Sequence, residues 1–302
     1  MRATTVGFCH MAAVFSDIHS NYHAFRACYD DAREQGADCF IFLGDYISDL
    51  ADPRETMDLL YEIQSRYPTI CLRGNRERYM LEHAKGKMFF STGSETGSLL
   101  FTYRQLQDKD LAFFERLPIY DVIELNGIVI EIAHAGKSDD RDYFEGTDDR
   151  IRHVFEEMET GYLLTGHSHK QYVKFHDGKV ILNPGSIGVP RDHGPLTQYA
   201  LLEFEEKTVQ FRLRQIPYDV TAMIHRQFES GLVDCAPHWA ISVLYDALTG
   251  KEHTMELLKR VSQSGNGDET VIYNEAVWHS VAEEMGMKFN ESEIIRELCK
   301  RE

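Results

Sequence analysis

Three short apolar runs, at 12–15, 39–43 and 69–72, alternate with two stretches of helical period at 22–34 and 54–66. That alternation reads as parallel strands joined by crossover helices, and it limits the chain to an α/β fold. Helical patterns follow at 94–106 and 109–116. Then the period changes. Residues 122–125 and 128–133 flank Asn126-Gly127, the pair that suits a type I′ turn, 171–175 and 179–182 flank Asp177-Gly178, and 198–204 is followed by 208–215. Each pair reads as a hairpin, with a short helix at 149–158 and a strand at 162–165 between the first and second. The expected architecture is therefore a two-sheet β-sandwich of mixed strands flanked by helices. Beyond Asp219 the pattern is helical at 221–229, 237–248, 253–261, 271–286 and 291–301, and the Ser-Gly-Asn-rich residues 262–268 read as a flexible connector. A main domain over 11–219 and a helical extension over 220–302 follow. The extension carries Phe228, Trp239, Tyr245, Tyr273, Trp278 and Phe289 as aromatic anchors, which serve packing, a cap over the main domain, or a homodimer face.

With 302 residues and 43% hydrophobic content, the chain can bury one large core and a smaller one. The formal charge of −17 comes without a basic stripe, so a nucleic-acid polymer is excluded as a partner while a small anion remains admissible. No apolar run approaches the ~20 residues of a membrane span, and the first ten residues lack a secretory signal, so a cytoplasmic protein with no membrane partner is expected. The residues before Met11 show no pattern and read as a loose tail. The six cysteines (Cys9, Cys28, Cys39, Cys71, Cys235 and Cys299) form no Cys-x-x-Cys pair and read as reduced core filler.

Metal-capable side chains recur where apolar strands end: Asp17 and His19 after the first, Asp45 after the second, Asn75 after the third, then His134, and His167 with His169. In open α/β sheets this edge gathers loops into one pocket. Members of the pairs Asp17/His19 and His167/His169 stand two apart, so extended backbone would point both to one side. Glycine precedes Asp45, Asn75 and His167, as a close backbone approach requires. Singly, Asp17, Asp45 and Asn75 could each cap a helix, whereas His134 and the His167/His169 pair fit no such role. A mixture of carboxylate, imidazole and amide suits manganese, iron, cobalt, nickel or zinc. Seven ligands exceed the needs of one ion, and two ions roughly 3.5–4 Å apart can prepare water for in-line attack on phosphorus.

These blocks, Asp17-Ile-His19, Gly44-Asp45, Gly74-Asn75-Arg76-Glu77, His134 and Gly166-His167-Ser168-His169, occur in the order found in calcineurin-like metallophosphoesterases, which the chain resembles over about residues 11–216. Asn183-Pro-Gly-Ser186-Ile-Gly188 with Pro190-Arg191 is similar to the small bacterial and archaeal phosphodiesterase branch. The resemblance implies that Asp17, His19 and His169 hold one divalent transition-metal ion, that Asn75, His134 and His167 hold a second, and that Asp45 bridges them. Monoesterases of the family usually place histidine where Arg76 stands. A guanidinium stabilises developing charge but donates no proton at neutral pH, so Arg76 as the catalytic cation implies substrates with acidic leaving groups. Arg191 is the expected clamp for a second phosphate, His193 an alternative proton source, and Asn21 a helix cap. The expected activity is hydrolysis of a phosphodiester or phosphoanhydride in a small nucleotide-like substrate. Protein phosphatase activity and a non-catalytic scaffold are the competing expectations.

Overall fold

The computed structural model describes residues 4–5, 7–141, 148–205 and 208–298. In chain order the elements are β1 (Thr4–Thr5), β2 (Met11–Phe15), α1 (Tyr22–Glu34), β3 (Cys39–Phe42), α2 (Pro53–Arg66), β4 (Thr69–Cys71), α3 (Asn75–Ala84), α4 (Gly97–Tyr103), α5 (Asp108–Arg116), β5 (Tyr120–Leu125), β6 (Ile128–Ala133), α6 (Asp148–Glu157) and β7 (Tyr162–Thr165). They continue with β8 (Gln171–His176), β9 (Lys179–Pro184), β10 (Thr197–Glu205), β11 (Thr208–Ile216), α7 (Val220–Glu229), α8 (Leu232–Cys235), α9 (Pro237–Thr249), α10 (His253–Ser264), a 3-10 turn (Glu269–Tyr273), α11 (Glu275–Glu284) and α12 (Glu291–Leu298).

The strands form a five-stranded sheet in the order β11-β10-β2-β3-β4 and a six-stranded sheet in the order β1-β5-β6-β7-β9-β8, both mixed. The apolar runs of β2 and β3 are continuous because both of their faces are covered. Ala12, Val14 and Ile41 face Ile130, Ile132 and Leu164 of the other sheet, while Phe15, Phe40 and Phe42 turn outward onto Phe25 and Tyr29 of α1 and Leu60 of α2. On the far side α6 lays Ile151 and Phe155 against Leu163 and Ile181. The result is the expected sandwich, with helices outside both sheets. The hairpin turns carry Asn126 and Gly127 at φ 52° and 78°, and Asp177 and Gly178 at 47° and 77°, the left-handed pairs a type I′ turn demands.

The C-terminal helices surround a separate core of Ile241, Leu244, Leu257 and the fully buried Trp278, and that core also takes in Leu50 and Val189 from loops of the sandwich. Among the described residues no helix is long and apolar enough to cross a membrane.

Several expectations are corrected. The stretch before Met11 is not wholly loose, since Thr4–Thr5 pair with β5 in parallel. The first three residues of the expected connector, 262–264, belong to α10, and the helix expected at 271–286 is broken at Asn274, whose side chain caps α11. Tyr273 is 65% exposed rather than an anchor. Helix α3 was not anticipated, because its charged sequence buries little beyond Met80 and Leu81 on the apolar side. Cys9, Cys28, Cys39, Cys71 and Cys235 are free thiols, only Cys71 among them short of full burial, and Cys299 lies outside the described residues.

Candidate metal centre

Each candidate residue follows a strand at one edge of the sandwich. Asp17 and His19 leave β2, Asp45 leaves β3, and Asn75 follows β4 as the first residue of α3; His134 leaves β6, and His167 and His169 leave β7. The first four hang from the five-stranded sheet and the last three from the six-stranded one. The paired residues do not sit in extended backbone, contrary to expectation: Asp17, His19, His167 and His169 have φ of 54°, 49°, 62° and 57°, and Asp45, Ser48 and Asp49 lie at 54°, 81° and 71°. The left-handed conformation costs a non-glycine residue about 1–2 kcal/mol, so this cluster is held by its surroundings. All three of the glycines before Asp45, Asn75 and His167 are sterically required: a Cβ on Gly44 would lie 2.5 Å from Gly74 N, one on Gly74 2.1 Å from Asp45 Oδ1, and one on Gly166 2.0 Å from Ser16 Oγ. The helix caps are Asn21, Asp52 and Gly74, which leaves Asp17, Asp45 and Asn75 for other work. Asn21 behaves as expected, accepting the Ala24 N–H at 3.1 Å.

The side chains gather into two groups, Asp17 with His19 and His169, and Asp45 with His134 and His167. Asn75 joins the second, its Oδ1 lying 3.2 Å from His134 Nε2. Asp45 stands between them, with Oδ2 3.8 Å from His19 Nε2 and 3.6 Å from His134 Nε2.

The tautomers follow from the outer partners. His134 Nδ1 donates to Leu43 O at 2.8 Å and His169 Nδ1 to Val189 O at 2.9 Å, while His19 Nδ1 lies 2.9 Å from Asp49 Oδ2. A carbonyl can only accept, so in the neutral rings of His134 and His169 the proton sits on Nδ1 and the Nε2 lone pair points inward, whereas His19 Nδ1 is at ion-pair distance from Asp49 without an aligned hydrogen bond. The lone pairs then face other acceptors. His19 Nε2 and His169 Nε2 are 3.0 Å apart, and Asp17 Oδ1, buried and accepting no hydrogen bond, is 3.4 Å from His169 Nε2. Converging lone pairs fit cations, so this donor set suits transition-metal ions. Protons compete for the same positions. Against the effect of burial, Asp49 and Asp45 raise the His19 imidazole, and Asp45 and Asp17 raise that of His134. Burial, reinforced by His134, pushes His167 down to about 4.

The supporting contacts are specific. Asp45 Oδ1 accepts the Arg76 backbone N–H at 2.8 Å, placing the carboxylate at the positive end of α3. Glu77 accepts the N–H groups of Gly74, Asp45 and Tyr46 at 2.8, 3.0 and 2.8 Å. Arg76 Nη2 meets Asp49 Oδ2 at 2.9 Å, and the Trp239 indole N–H donates to Asp49 Oδ1 at 2.9 Å. The link of Asp49 and Trp239 to the site carries no mark in the sequence: Asp49 stands four residues beyond Asp45 outside any of the motifs, and Trp239, read from sequence only as an aromatic anchor, lies far along the chain with no motif to connect them.

A cleft of about 540 Å³ opens over the two groups, with His19, Asp45, Asn75, Arg76, His167 and His169 among the residues at its floor. Arg191 is on its wall, where it pairs with Glu252 at 2.5 Å. His193 is exposed and is not one of the lining residues. The outer wall comes from α9, α10 and the turn between them, through Trp239, Val243, Asp246, Lys251 and Met255.

A sequence model described as the calcineurin-like phosphoesterase superfamily domain matches residues 11–207. The chain is 26% identical over 244 residues to the uncharacterized protein MJ0912 of Methanocaldococcus jannaschii, covering 76% of this chain and 95% of that protein. Among solved structures it is similar to a metallophosphoesterase from Sphaerobacter thermophilus, with a TM-score of 0.61 and 22% identity over 80% of this chain and 100% of the other. It is also similar to the hypothetical protein PH1004 from Pyrococcus horikoshii, with a TM-score of 0.66 and 18% identity over 80% of this chain and 99% of the other.

Proposed function

Because the chain belongs to the calcineurin-like phosphoesterase superfamily, we propose that it hydrolyses phosphodiester or phosphoanhydride bonds of a small nucleotide-like substrate at a two-metal centre. The observation that carries this reading is Asp45, whose Oδ2 faces one histidine of each group at 3.8 and 3.6 Å. Asp17, His19 and His169 would hold one ion and Asn75, His134 and His167 the other, with Asp45 shared. When bound, two such ions polarise phosphoryl oxygens and acidify a water.

The chain's own residues supply the rest. The Nδ1 contacts keep the imidazoles aimed inward before any ligand arrives. Arg76, only 20% exposed at its side chain, places a permanent positive charge at the floor of the cleft. That charge can stabilise a leaving oxyanion but cannot protonate it, which favours acidic leaving groups such as those of nucleotide polyphosphates. Arg191 can exchange Glu252 for a second phosphate, since either partner fits its guanidinium fork. In this reading residues 11–219 are the catalytic domain and residues 220–302 form a specificity cap, with Trp239, Val243 and Met255 offering apolar surface to the organic part of the ester.

The test combines elemental analysis with hydrolysis of bis(para-nitrophenyl) phosphate, para-nitrophenyl phosphate and dinucleoside polyphosphates. Chelation should abolish activity and manganese restore it, with diesters and anhydrides cleaved faster than the monoester. Asp45→Asn should lower kcat/KM by more than about 100-fold, beyond what loss of an outer partner costs. A metal-loaded protein inert toward the whole panel would defeat the reading.

A further inference from the structure

The loop that carries Asp45 and Asp49 is gripped by the C-terminal helices. Trp239 of α9 donates its indole N–H to Asp49 Oδ1 at 2.9 Å, and Gln227 of α7 donates to the Asp49 carbonyl at 3.4 Å. Arg226 of α7 pairs with Asp52 at 2.7 Å. Leu50, 1% exposed, belongs to the helical core, and Ala51 packs with Leu232, Ala236 and Ala240. The second oxygen of Asp49 meets both His19 Nδ1 and Arg76 Nη2 at 2.9 Å. The Ser48 hydroxyl also donates to that oxygen at 3.1 Å, so Asp49 is a buried junction between an indole, an imidazole, a guanidinium and a hydroxyl, at φ 71°.

We propose that Trp239 is a positioning residue of the metal centre: by fixing one oxygen of Asp49 it holds the other against His19 and Arg76, and so makes the C-terminal helices a working part of the site. The physical reason is rotational. A carboxylate bound at one oxygen by a directional N–H cannot turn about its Cβ–Cγ bond, so its other oxygen stays where His19 needs it. Without the indole donor the carboxylate is restrained only at Oδ2, where the Ser48 hydroxyl lies at 3.1 Å; its ion-pair contact with His19 Nδ1 loosens, and the His19 Nε2 lone pair is presented only part of the time. The effect should fall on the group containing His19 and spare the one containing His134, whose Nδ1 is held by Leu43 instead. This inference rests on the two-metal reading of the site.

The decisive variant is Trp239→Phe, which keeps an aromatic ring and removes the donor. Manganese titration by calorimetry should show one of the two sites weakened about 10-fold, the lower end of what outer partners contribute, while the other keeps its affinity. In the metal-free variant, read at a pH high enough to leave the ring neutral, the His19 ring 15N signals should shift from the wild-type pattern toward a mixture of tautomers. Unchanged His19 signals overturn the proposal, and so does equal weakening of both sites alongside a fall in Tm, which marks a merely structural loss. Wild-type protein that takes up no manganese overturns the two-metal reading, whereas the tautomer measurement, made without metal, still decides the link through Asp49.

Discussion

Glu77 makes no contact with the cleft, yet three backbone N–H groups depend on it, those of Gly74, Asp45 and Tyr46. They belong to two different strand ends, so one carboxylate locks the turn after β3 to the turn before α3. The side chain is fully buried, so bulk solvent does not reach these donors in the folded protein. Glu77→Ala should therefore cost roughly 3–5 kcal/mol, the desolvation cost of several orphaned donors, read as a shift in urea midpoint together with loss of bound metal. At this scale the sequence disclosed the side chains that point inward and concealed those that aim them. All seven follow apolar runs, and Asp45, Asn75 and His167 also follow glycines, a pattern visible in one dimension. Asp49 and the carbonyls of Leu43 and Val189 matter only through where the chain folds, and no local spacing marks them.

Helix α1 and strand β11 are tied across β10 by Asp31, which meets Arg214 at 2.7 and 3.1 Å and accepts the Tyr199 hydroxyl. Partial burial would raise this carboxyl, but Arg214 and Tyr199 outweigh it and hold it below the usual range. A carboxyl lowered by folding adds stability above its unfolded pKa and loses that contribution as pH falls through its folded one. Asp31→Asn should thus destabilise the protein by about 1 kcal/mol at pH 7, and denaturant curves of variant and wild type should converge in strong acid. Among the elements, strands and hairpins are legible because short continuous apolar runs and the Asn126-Gly127 and Asp177-Gly178 turns leave local marks. Helix α3 is not, since its stability comes from Glu77 and the Asp45 carboxylate at its N-terminus rather than from an apolar stripe. The break at Asn274 was hidden for the opposite reason, because aromatic spacing continues through it while the backbone does not.

At the scale of the molecule, the helical extension and the sandwich share a core. Leu50 belongs by sequence to the loop after β3 and by packing to the cluster around Ile241 and Trp278. Leu50→Ala should cost roughly 2–5 kcal/mol and weaken metal binding in step, measured by thermal unfolding and manganese titration on the same samples. A boundary drawn at 219 and 220 from the change of period is a true change of element type, from β11 to α7, yet contacts such as Arg226 with Asp52 cross it. The division of the seven inward-facing side chains between two sheets has a further consequence for how the protein comes into being. During synthesis the portion bearing Asp17, Asp45 and Asn75 leaves the ribosome well before the portion bearing His167 and His169 exists. In the two-metal reading a nascent chain would own only half of the donor set until more than half of its length has emerged, and the site would be complete only once the two sheets have closed on each other.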